Sequence, residues 1–530
     1  MNIRSSKALF AVAASLLVVA AAACTDPTVA PKSTVTPANV FTDQNSYQQF
    51  LARVYSGLAV TGQQGAAGNA DISGIDEGFS QYMRLYWELE ELPTDEAAIA
   101  WNDIGIPELN AGQFTSTGTM IKAMYYRIFF QVGMANEFLR ETTDALLDSR
   151  GVGSALKATI HTYRAEARFL RALSYWHGLD LFGNIPLVTE NDPLGATPPR
   201  QVARDSVYRY VVSELNDIMT QLPAPGGAAY GRATAAAAHM LLAKLYLNAA
   251  VYTGTAHYDL ARTEAEAVIA SGYSLAPRYR NNFLADNNTS PEIIFAIPFD
   301  GGHTQSWGGM TFLIHATCGW NDGYNPNDIG VNGCWGGIHM RQQAYLNYEA
   351  GDTARTSFFY LTNHTIPMTD MWDFKTGIAA PKFSNRTSTG GTGSDLGFPD
   401  TDWPMFRLAD AYLIYAEAVV RGGGGSRATA LGYINLIRAR SYGGTAGDIT
   451  DGEMTERFIL DERGRELLWE ATRRTDLVRY GLFTGGDYLW DWKGGTFAGA
   501  PLDAHFALYP IPADELITNP NMTQNTGYTN

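Results

Sequence analysis

One short run of the sequence combines an aromatic ring with polar side chains. Trp101 is followed at once by Asn102 and Asp103, in the segment from Glu90 to Leu109. A pyranose presents a C–H face that stacks on an aromatic ring and hydroxyls that hydrogen-bond to amides and carboxylates. We therefore predict that Trp101, Asn102 and Asp103 contact a sugar. The alternative is that Trp101 packs between parts of the fold.

A second aromatic segment runs from His303 to Met340. Its aromatic and polar residues are Trp307, Trp320, Tyr324, Trp335, Asn321, Asp322, Asn325 and Asn327. Tryptophans in so polar a segment are costly to expose unless a ligand or a partner covers them. We predict ligand contacts for Trp307, Trp320, Asn321, Asp322 and Tyr324. For Trp335 we predict packing in the core.

Two further aromatic segments are weaker candidates. The segment from Trp372 to Phe383 would extend an aromatic surface, but it is less favoured than the two above. Trp490 and Trp492 follow a densely charged stretch and are predicted to pack in the scaffold.

Catalytic and metal-binding patterns are absent from the sequence. It contains no GxSxG, no HExxH and no glycine-rich phosphate loop between a strand and a helix. The nine histidines are scattered, and the acidic, Asn-rich loops lack the spacing of an EF-hand. We therefore predict no catalytic residue, no metal and no cofactor, and we do not expect an enzyme.

The elements that must position these loops are helical. Apolar residues recur at helical spacing in eight segments, and these are 45–60, 120–147, 155–182, 204–222, 233–251, 258–271, 404–421 and 426–440. Short connections would make four helical hairpins of them. The segments 61–118 and 275–403 are rich in Gly, Asn, Asp and Pro and are predicted to be irregular, except for a strand at Ile293 to Phe299.

The stretch from Leu460 to Phe483 combines helical spacing with many charges. Acids such as Glu462 and Glu466 alternate with bases such as Arg465 and Arg473, and Gly481 would end the helix. A catalytic pair of carboxylates would need pKa values that are pushed apart in a cleft. The near balance of acids and bases favours a structural lattice in which each acid meets a base.

The N-terminus resembles a secretion signal. Arg4 and Lys7 precede an apolar run from Ala8 to Ala23, and small residues precede Cys24. We predict a lipoprotein signal at 1–23, acylation of Cys24 and a tether over 24–40. An ordinary signal peptide with a chance cysteine is the alternative.

The cysteines that remain are Cys318 and Cys334. In an oxidising compartment outside the cytoplasm, two such residues form a natural disulfide pair. Two free thiols are the alternative, and a metal site would need further ligands. The net charge of -16 argues against nucleic acid as a partner and against a polybasic contact with the membrane.

Five separated segments carry a resemblance to a known family, and these are Arg164 to Glu190, Asp410 to Val419, Leu431 to Arg440, Leu460 to Phe483 and Leu508 to Asn521. Together they resemble the SusD/RagB family of outer-membrane nutrient-binding lipoproteins. The resemblance implies a mainly α fold with four tetratricopeptide-like helix pairs, long irregular loops and a few short strands. It further implies a binding aromatic after a TDE motif, for which Trp101 is the nearest match.

This resemblance implies a single SusD-like globular domain over 41–530. The helical scaffold would cover about 41–60, 120–271 and 404–440, the binding loops 61–118 and 275–403, and a C-terminal segment 453–530. The implied protein is anchored by lipid in the outer membrane and exposed at the cell surface. It would bind a glycan and deliver it to a TonB-dependent, SusC-like transporter.

Two other functions remain open at this point. Some members of the family take up peptides, so a RagB-like peptide-binding lipoprotein is one alternative. A helical-repeat scaffold with protein partners only is the other. The Trp-rich loops favour the glycan.

Overall fold

The computed structural model describes residues 41, 43–62, 65–66, 68–195, 197–319 and 323–529. The predicted signal segment, Cys24 and the tether lie outside these residues, and so do three predicted ligand contacts, Trp320, Asn321 and Asp322. The chain divides into a unit that ends at Tyr47 and a unit that begins at Gln48. All contacts given below lie within the second unit.

The helices that carry the fold are short to medium in length, with two longer ones. They are α1 Gln44–Ser56, α2 Tyr82–Glu91, α3 Ile106–Ala111, α4 Thr119–Glu141, α5 Asp144–Ser149, α6 Ser154–Phe182, α7 Arg204–Ile218, α8 Ala235–Leu247, α9 Ala249–Thr253, α10 Tyr258–Ile269, α11 Gly309–Ala316, α12 Gln342–Leu346, α13 Leu408–Val420, α14 Arg427–Tyr442, α15 Glu456–Glu466, α16 Arg473–Arg479 and α17 Ala513–Thr518.

The strands are few and form antiparallel pairs. They are β1 Ala98–Ile99, β2 Ile185–Pro186, β3 Gln201–Val202, β4 Ile293–Ile297, β5 Ile338–His339 and β6 Trp403–Arg407. β1 pairs with β5, β2 with β3 and β4 with β6. The predicted strand is therefore confirmed as β4, with a partner more than a hundred residues away.

Helix-on-helix packing builds the scaffold. α4 packs against α6 and α6 against α7, while α8, α10, α13 and α14 pack in succession. The mainly α prediction is confirmed, and each of the eight predicted segments contains a helix. Two of them are split, since 120–147 holds α4 and α5, and 233–251 holds α8 and α9. No helix in the described ranges is both long and apolar enough to cross a bilayer.

Four helices lie where the sequence predicted irregular structure, and these are α2, α3, α11 and α12. Every residue of α2 is buried, and so is every residue of α11. In α2 the apolar residues Tyr82, Leu85, Tyr86 and Leu89 recur at helical spacing, so its sequence does indicate a helix. The irregular assignment of 61–118 and 275–403 is wrong at these four helices.

The predicted helix at Leu460 to Phe483 is broken into α15 and α16. Between them Trp469 and Ala471 have left-handed φ values of 60° and 56°. The backbone N–H of buried Trp469 donates to Glu96 Oε2 at 3.0 Å, and its indole N–H donates to the Glu96 carbonyl at 3.1 Å. These contacts from a distant segment hold a conformation that non-glycine residues rarely adopt.

The predicted lattice of charges is confirmed, and we call it the buried ionic cluster. Its members are Asp95, Lys244, Glu292, Asp352, Arg355, Lys382, Arg407, Asp410, Glu417, Arg438, Arg440, Glu462, Arg463, Arg465, Glu466, Glu470, Arg473, Asp476 and Arg479. Arg407 alone meets Glu292 at 2.8 Å, Glu466 at 2.7 Å and Glu470 at 2.6 Å. Most partners come from other elements, not from the same helix.

Burial and pairing oppose each other at the carboxylates of this cluster. Burial by itself raises the pKa of Glu292, but Arg440 and Arg407 outweigh it and lower that pKa to about 2. The charged carboxylate of Glu292 is therefore the stable form at neutral pH.

Candidate functional site

Four aromatic rings form a continuous row at the surface, which we call the aromatic row. The ring centroids of Trp101 and Trp335 are 6.4 Å apart, those of Trp335 and Trp307 6.2 Å, and those of Trp307 and Phe398 4.8 Å. Trp307 is 44% exposed and Trp335 37%, while Trp101 and Phe398 are half-buried. Successive ring planes tilt by 46°, 51° and 44°, so the row is faceted, not flat.

The pairing of β1 with β5 brings two of these rings together. Trp101 follows β1 and Trp335 precedes β5, and Ala98 lies opposite His339 in the antiparallel ladder. The ladder continues past the strands, because the Ala100 N–H donates to the Gly337 carbonyl at 2.9 Å. Residues more than two hundred positions apart thus reach the same edge.

The indole of Trp101 lies directly on Gly337. A Cβ atom at Gly337 would collide with the indole nitrogen and lie 2.8 Å from Cδ1 of Trp101. The φ of Gly337 is also +107°, a value that L side chains rarely adopt. Only glycine therefore permits this close approach.

A buried histidine supports Trp335 from behind. The rings of His315 and Trp335 stack with centroids 4.8 Å apart, and the Trp335 N–H donates to the His315 carbonyl at 2.8 Å. Nδ1 of His315 lies 2.6 Å from the Gly333 carbonyl oxygen and Nε2 lies 3.1 Å from that of Gly397. Burial lowers the pKa of His315, and the carbonyls of Gly333 and Gly397 oppose this, because only the imidazolium donates from both ring nitrogens. The ring thereby links two loops beneath the row.

A disulfide fixes the chain next to Trp335. Cys318, two residues after α11, and Cys334, which directly precedes Trp335, are bonded with Cα atoms 5.1 Å apart. Gly336 N–H donates to the Cys318 carbonyl at 2.7 Å. Both ends of the turn that carries Trp335 are therefore tied to the end of α11.

Trp307 and Phe398 are held by carboxylates. The Trp307 N–H donates to Glu77 Oε2 at 2.9 Å, and the other oxygen of Glu77 accepts from the Thr61 hydroxyl. The Phe398 N–H donates to Asp395 Oδ1 at 2.9 Å. Trp307 is positioned two residues before α11 begins, so a rigid helix sets its place.

A buried ion pair on α2 lies behind Trp101. The Arg84 guanidinium lies 4.1 Å from the ring centre of Phe312 and 5.9 Å from that of Trp101, and its Nε is 2.8 Å from Glu88 Oε1. Burial raises the pKa of Glu88, and Arg84 opposes the rise. Phe312 also contacts Trp101 edge to face at 5.8 Å. The Arg84–Glu88 pair and Phe312 therefore fill the space on one side of Trp101.

The structure separates the predicted ligand residues. Trp101 and Trp307 belong to the row, and Asn102 and Asp103 are exposed beside Trp101. Tyr324 packs against Tyr360 instead, with centroids 4.4 Å apart, and its hydroxyl donates to the Phe358 carbonyl.

The prediction that Trp335 packs in the core is wrong. Because one face stacks on buried His315, the opposite face is left to solvent. Sequence reasoning also missed Phe398 and Arg84. Phe398 stands in a Gly- and Ser-rich loop without any period, and Arg84 lies in the helix that was not predicted.

The remaining tryptophans behave differently from one another. Trp490 is 1% exposed, which confirms its predicted core position. Trp492 is half-buried and donates its indole N–H to the Met368 carbonyl at 2.8 Å. Trp372 is 41% exposed. In the part of the chain that the structure describes, no three His, Cys, Asp or Glu side chains are placed to hold a metal ion.

Similarity to known proteins bears on this site. Residues 367–528 match the sequence model of the SusD family. The chain is 35% identical to the starch-binding protein SusD of Bacteroides thetaiotaomicron, over 91% of this chain and 92% of that protein. The chain belongs to the SusD family.

Solved structures of SusD-family and related proteins share the fold. A SusD homologue from Bacteroides thetaiotaomicron superposes with a TM-score of 0.72 at 19% identity and covers 94% of this chain and all of the other. The surface glycan-binding protein A of the same species, solved in complex with laminarihexaose, gives 0.67 at 21% identity, over 90% and 98% of the two chains. The family predicted from the sequence is thus confirmed.

Proposed function

We propose that this SusD-family protein binds an oligosaccharide or polysaccharide on the aromatic row and delivers it to a TonB-dependent transporter of the outer membrane. The observation that carries the proposal is the row itself: four linked rings, of which Trp307 is 44% and Trp335 37% exposed. Binding followed by release is sufficient for such a task, so no covalent step is needed.

The chemistry of the row suits a sugar chain. Each ring offers an apolar face for a pyranose, while Asn102 and Asp103 are exposed beside Trp101 to meet hydroxyls. The faceted arrangement presents successive rings at successive angles, which matches a chain that turns from one sugar to the next. Rings already held by a disulfide, a strand pair and buried partners lose little entropy on binding.

The relatives support a glycan as the ligand. One is named as starch-binding, and another was solved with laminarihexaose bound. A RagB-like peptide carrier would instead need a groove that pairs with backbone groups. The exposed ring faces favour the sugar over the peptide.

The cellular part of the proposal comes from the family and from the N-terminus. Cys24 would carry the lipid that anchors the protein in the outer membrane, and the segment 24–40 would hold the globular part away from the bilayer. A SusC-like barrel would be the partner that receives the glycan. The enzyme that cuts the glycan would be a different protein.

Calorimetric titration of the unlipidated mature chain tests the binding step. The Cys24→Ser protein is titrated with soluble starch, laminarin, other polysaccharides and mixed oligopeptides. For the glycan that binds, Trp335→Ala should lower the affinity by about 30-fold, the effect of losing a hot spot of about 2 kcal/mol. Phe497→Ala removes an exposed ring that is 39% accessible and outside the row, and should leave binding unchanged.

Two outcomes would contradict the proposal. One is glycan binding of equal strength in the Trp335→Ala and unsubstituted proteins. The other is tight binding of peptides with no binding of any glycan. Delivery is tested separately, by co-purification of the acylated protein with an outer-membrane barrel from the native membrane and its loss when Cys24 is replaced.

A further inference from the structure

An exposed tryptophan lies outside the aromatic row. Trp372 is 41% exposed, nearly as much as Trp307 in the row. It lies in the loop from Ile366 to Gly377, which contains none of the four rings of the row. A single exposed ring is common on a protein surface, so the position of Trp372 relative to the row is what matters.

The loop that carries Trp372 is tied to the scaffold near its start and closed on itself at its end. At one end the Trp492 indole donates to the Met368 carbonyl at 2.8 Å, and the Met368 N–H donates to Asp491 Oδ2 at 3.2 Å. At the other end the Gly377 N–H donates to the Thr365 carbonyl at 3.0 Å. The exposure of Trp372 is thus built into the fold.

The same loop borders the row. Beyond β5, Met340 and Ile378 exchange two backbone hydrogen bonds, of 2.8 and 2.9 Å, so the loop leads directly into the strand that follows Trp335. A Cβ atom on Gly336 would lie 3.4 Å from Cδ1 of Phe374. Two residues of chain span at most about 7 Å, so Trp372 lies close to the neighbour of Trp335.

The surroundings of Trp372 have the composition of a sugar subsite. Asp370, Asp373 and Lys375 are all exposed around it. Asp370 Oδ1 accepts the Trp372 N–H at 2.9 Å and Asp373 Oδ1 accepts the Lys375 N–H at 3.0 Å, and these bonds order the polar groups beside the ring. An aromatic ring followed by an acid repeats the arrangement of Trp101 with Asn102 and Asp103.

We propose that Trp372 forms an outlying subsite, which stacks on a sugar of a glycan that extends beyond Trp335. The proposal rests on the proposed function of the row. Its ligand is the same class of glycan, but only chains long enough to leave the row reach it. The protein would then prefer long chains or polysaccharides over short oligosaccharides of the same linkage.

A chain-length series tests this subsite. Maltooligosaccharides and laminari-oligosaccharides, from short to long, are titrated into Cys24→Ser protein that also carries Trp372→Ala, Trp335→Ala or Leu361→Ala. Leu361 is a matched control, since it is apolar, 43% exposed and in the same region but has no ring. We expect Trp372→Ala to weaken binding of long chains about tenfold and to leave short chains and the melting temperature unchanged.

The outcomes separate the subsite from the row. Full affinity of Trp372→Ala for long chains, with binding lost in Trp335→Ala, would overturn the subsite and leave the row. Equal losses for short and long chains in Trp372→Ala would also overturn it, because the ring would then act on the row itself. Unchanged binding in Trp335→Ala, or no binding of any glycan by the parent protein, would overturn the proposed function.

Discussion

The buried ionic cluster and the aromatic row are built from residues that each look functional in the sequence. In the cluster, arginines and carboxylates meet inside the protein, as at Arg463, whose guanidinium reaches Asp410 at 2.8 Å and Asp476 at 2.6 Å. In the row, Trp307 and Trp335 contact other rings and still leave 44% and 37% of their surface exposed. The comparison shows that a charged or aromatic residue is available to a ligand only where the fold leaves part of its side chain exposed.

The two regions are joined by one segment of chain. Arg473 of the cluster binds Asp95 at 2.7 Å, and Glu96 receives the two hydrogen bonds from Trp469. β1 and Trp101 follow within a few residues. The cluster therefore anchors the chain from which the row begins.

The largest expected effect is a loss of stability in the cluster without a loss of glycan binding. Arg463→Met leaves Asp410 and Asp476 buried with fewer cations, and removal of one partner of a buried pair costs about 3–5 kcal/mol. Urea unfolding should show this loss, while the folded protein should bind glycan as before. Arg457→Met, on the same helix but at a pair whose Arg side chain is 54% exposed, should hardly change the midpoint. Similar urea midpoints for Arg463→Met and Arg457→Met would contradict the conclusion that the buried ionic cluster stabilises the fold.

The pH dependence of stability should also distinguish the buried ionic cluster from the aromatic row. The pKa of Glu292 is about 2 in the folded protein and about 4.5 ordinarily. A depressed pKa stabilises the fold above the ordinary value, and the contribution is lost as the pH falls from about 4.5 towards 2. Thermal melts across this range should show a shallower slope for Glu292→Gln. Parallel slopes in the two proteins would show that the cluster does not govern acid unfolding.

The smallest effect sharpens the description of the row. Gly337→Ala places a methyl group against the Trp101 indole at a φ of +107°. We expect a stability loss of about 1–3 kcal/mol for the strained backbone and a lower glycan affinity because Trp101 is displaced. Gly432→Ala is the control, since nothing lies within 4 Å of its Cβ position in α14, and it should stabilise slightly. Glycan affinity equal in both variants would mean that Trp101 is not part of the binding surface.

The sequence by itself determined the parts of this protein that follow a local rule. The helical spacing of apolar residues in α6 and α7 predicted these helices, and β4 is an apolar run of strand length. The balance of charges in Leu460 to Phe483 already indicated pairing. Trp101 and Trp307 were predicted as ligand contacts because each lies among polar residues in a segment without helical period.

Only the tertiary structure decided what depends on distant partners. The break at Trp469 exists because Glu96 binds it across the fold. Trp335 is exposed because His315 occupies its other face. Such outcomes depend on which segments meet, and a local pattern carries no information about the surface that a residue will face.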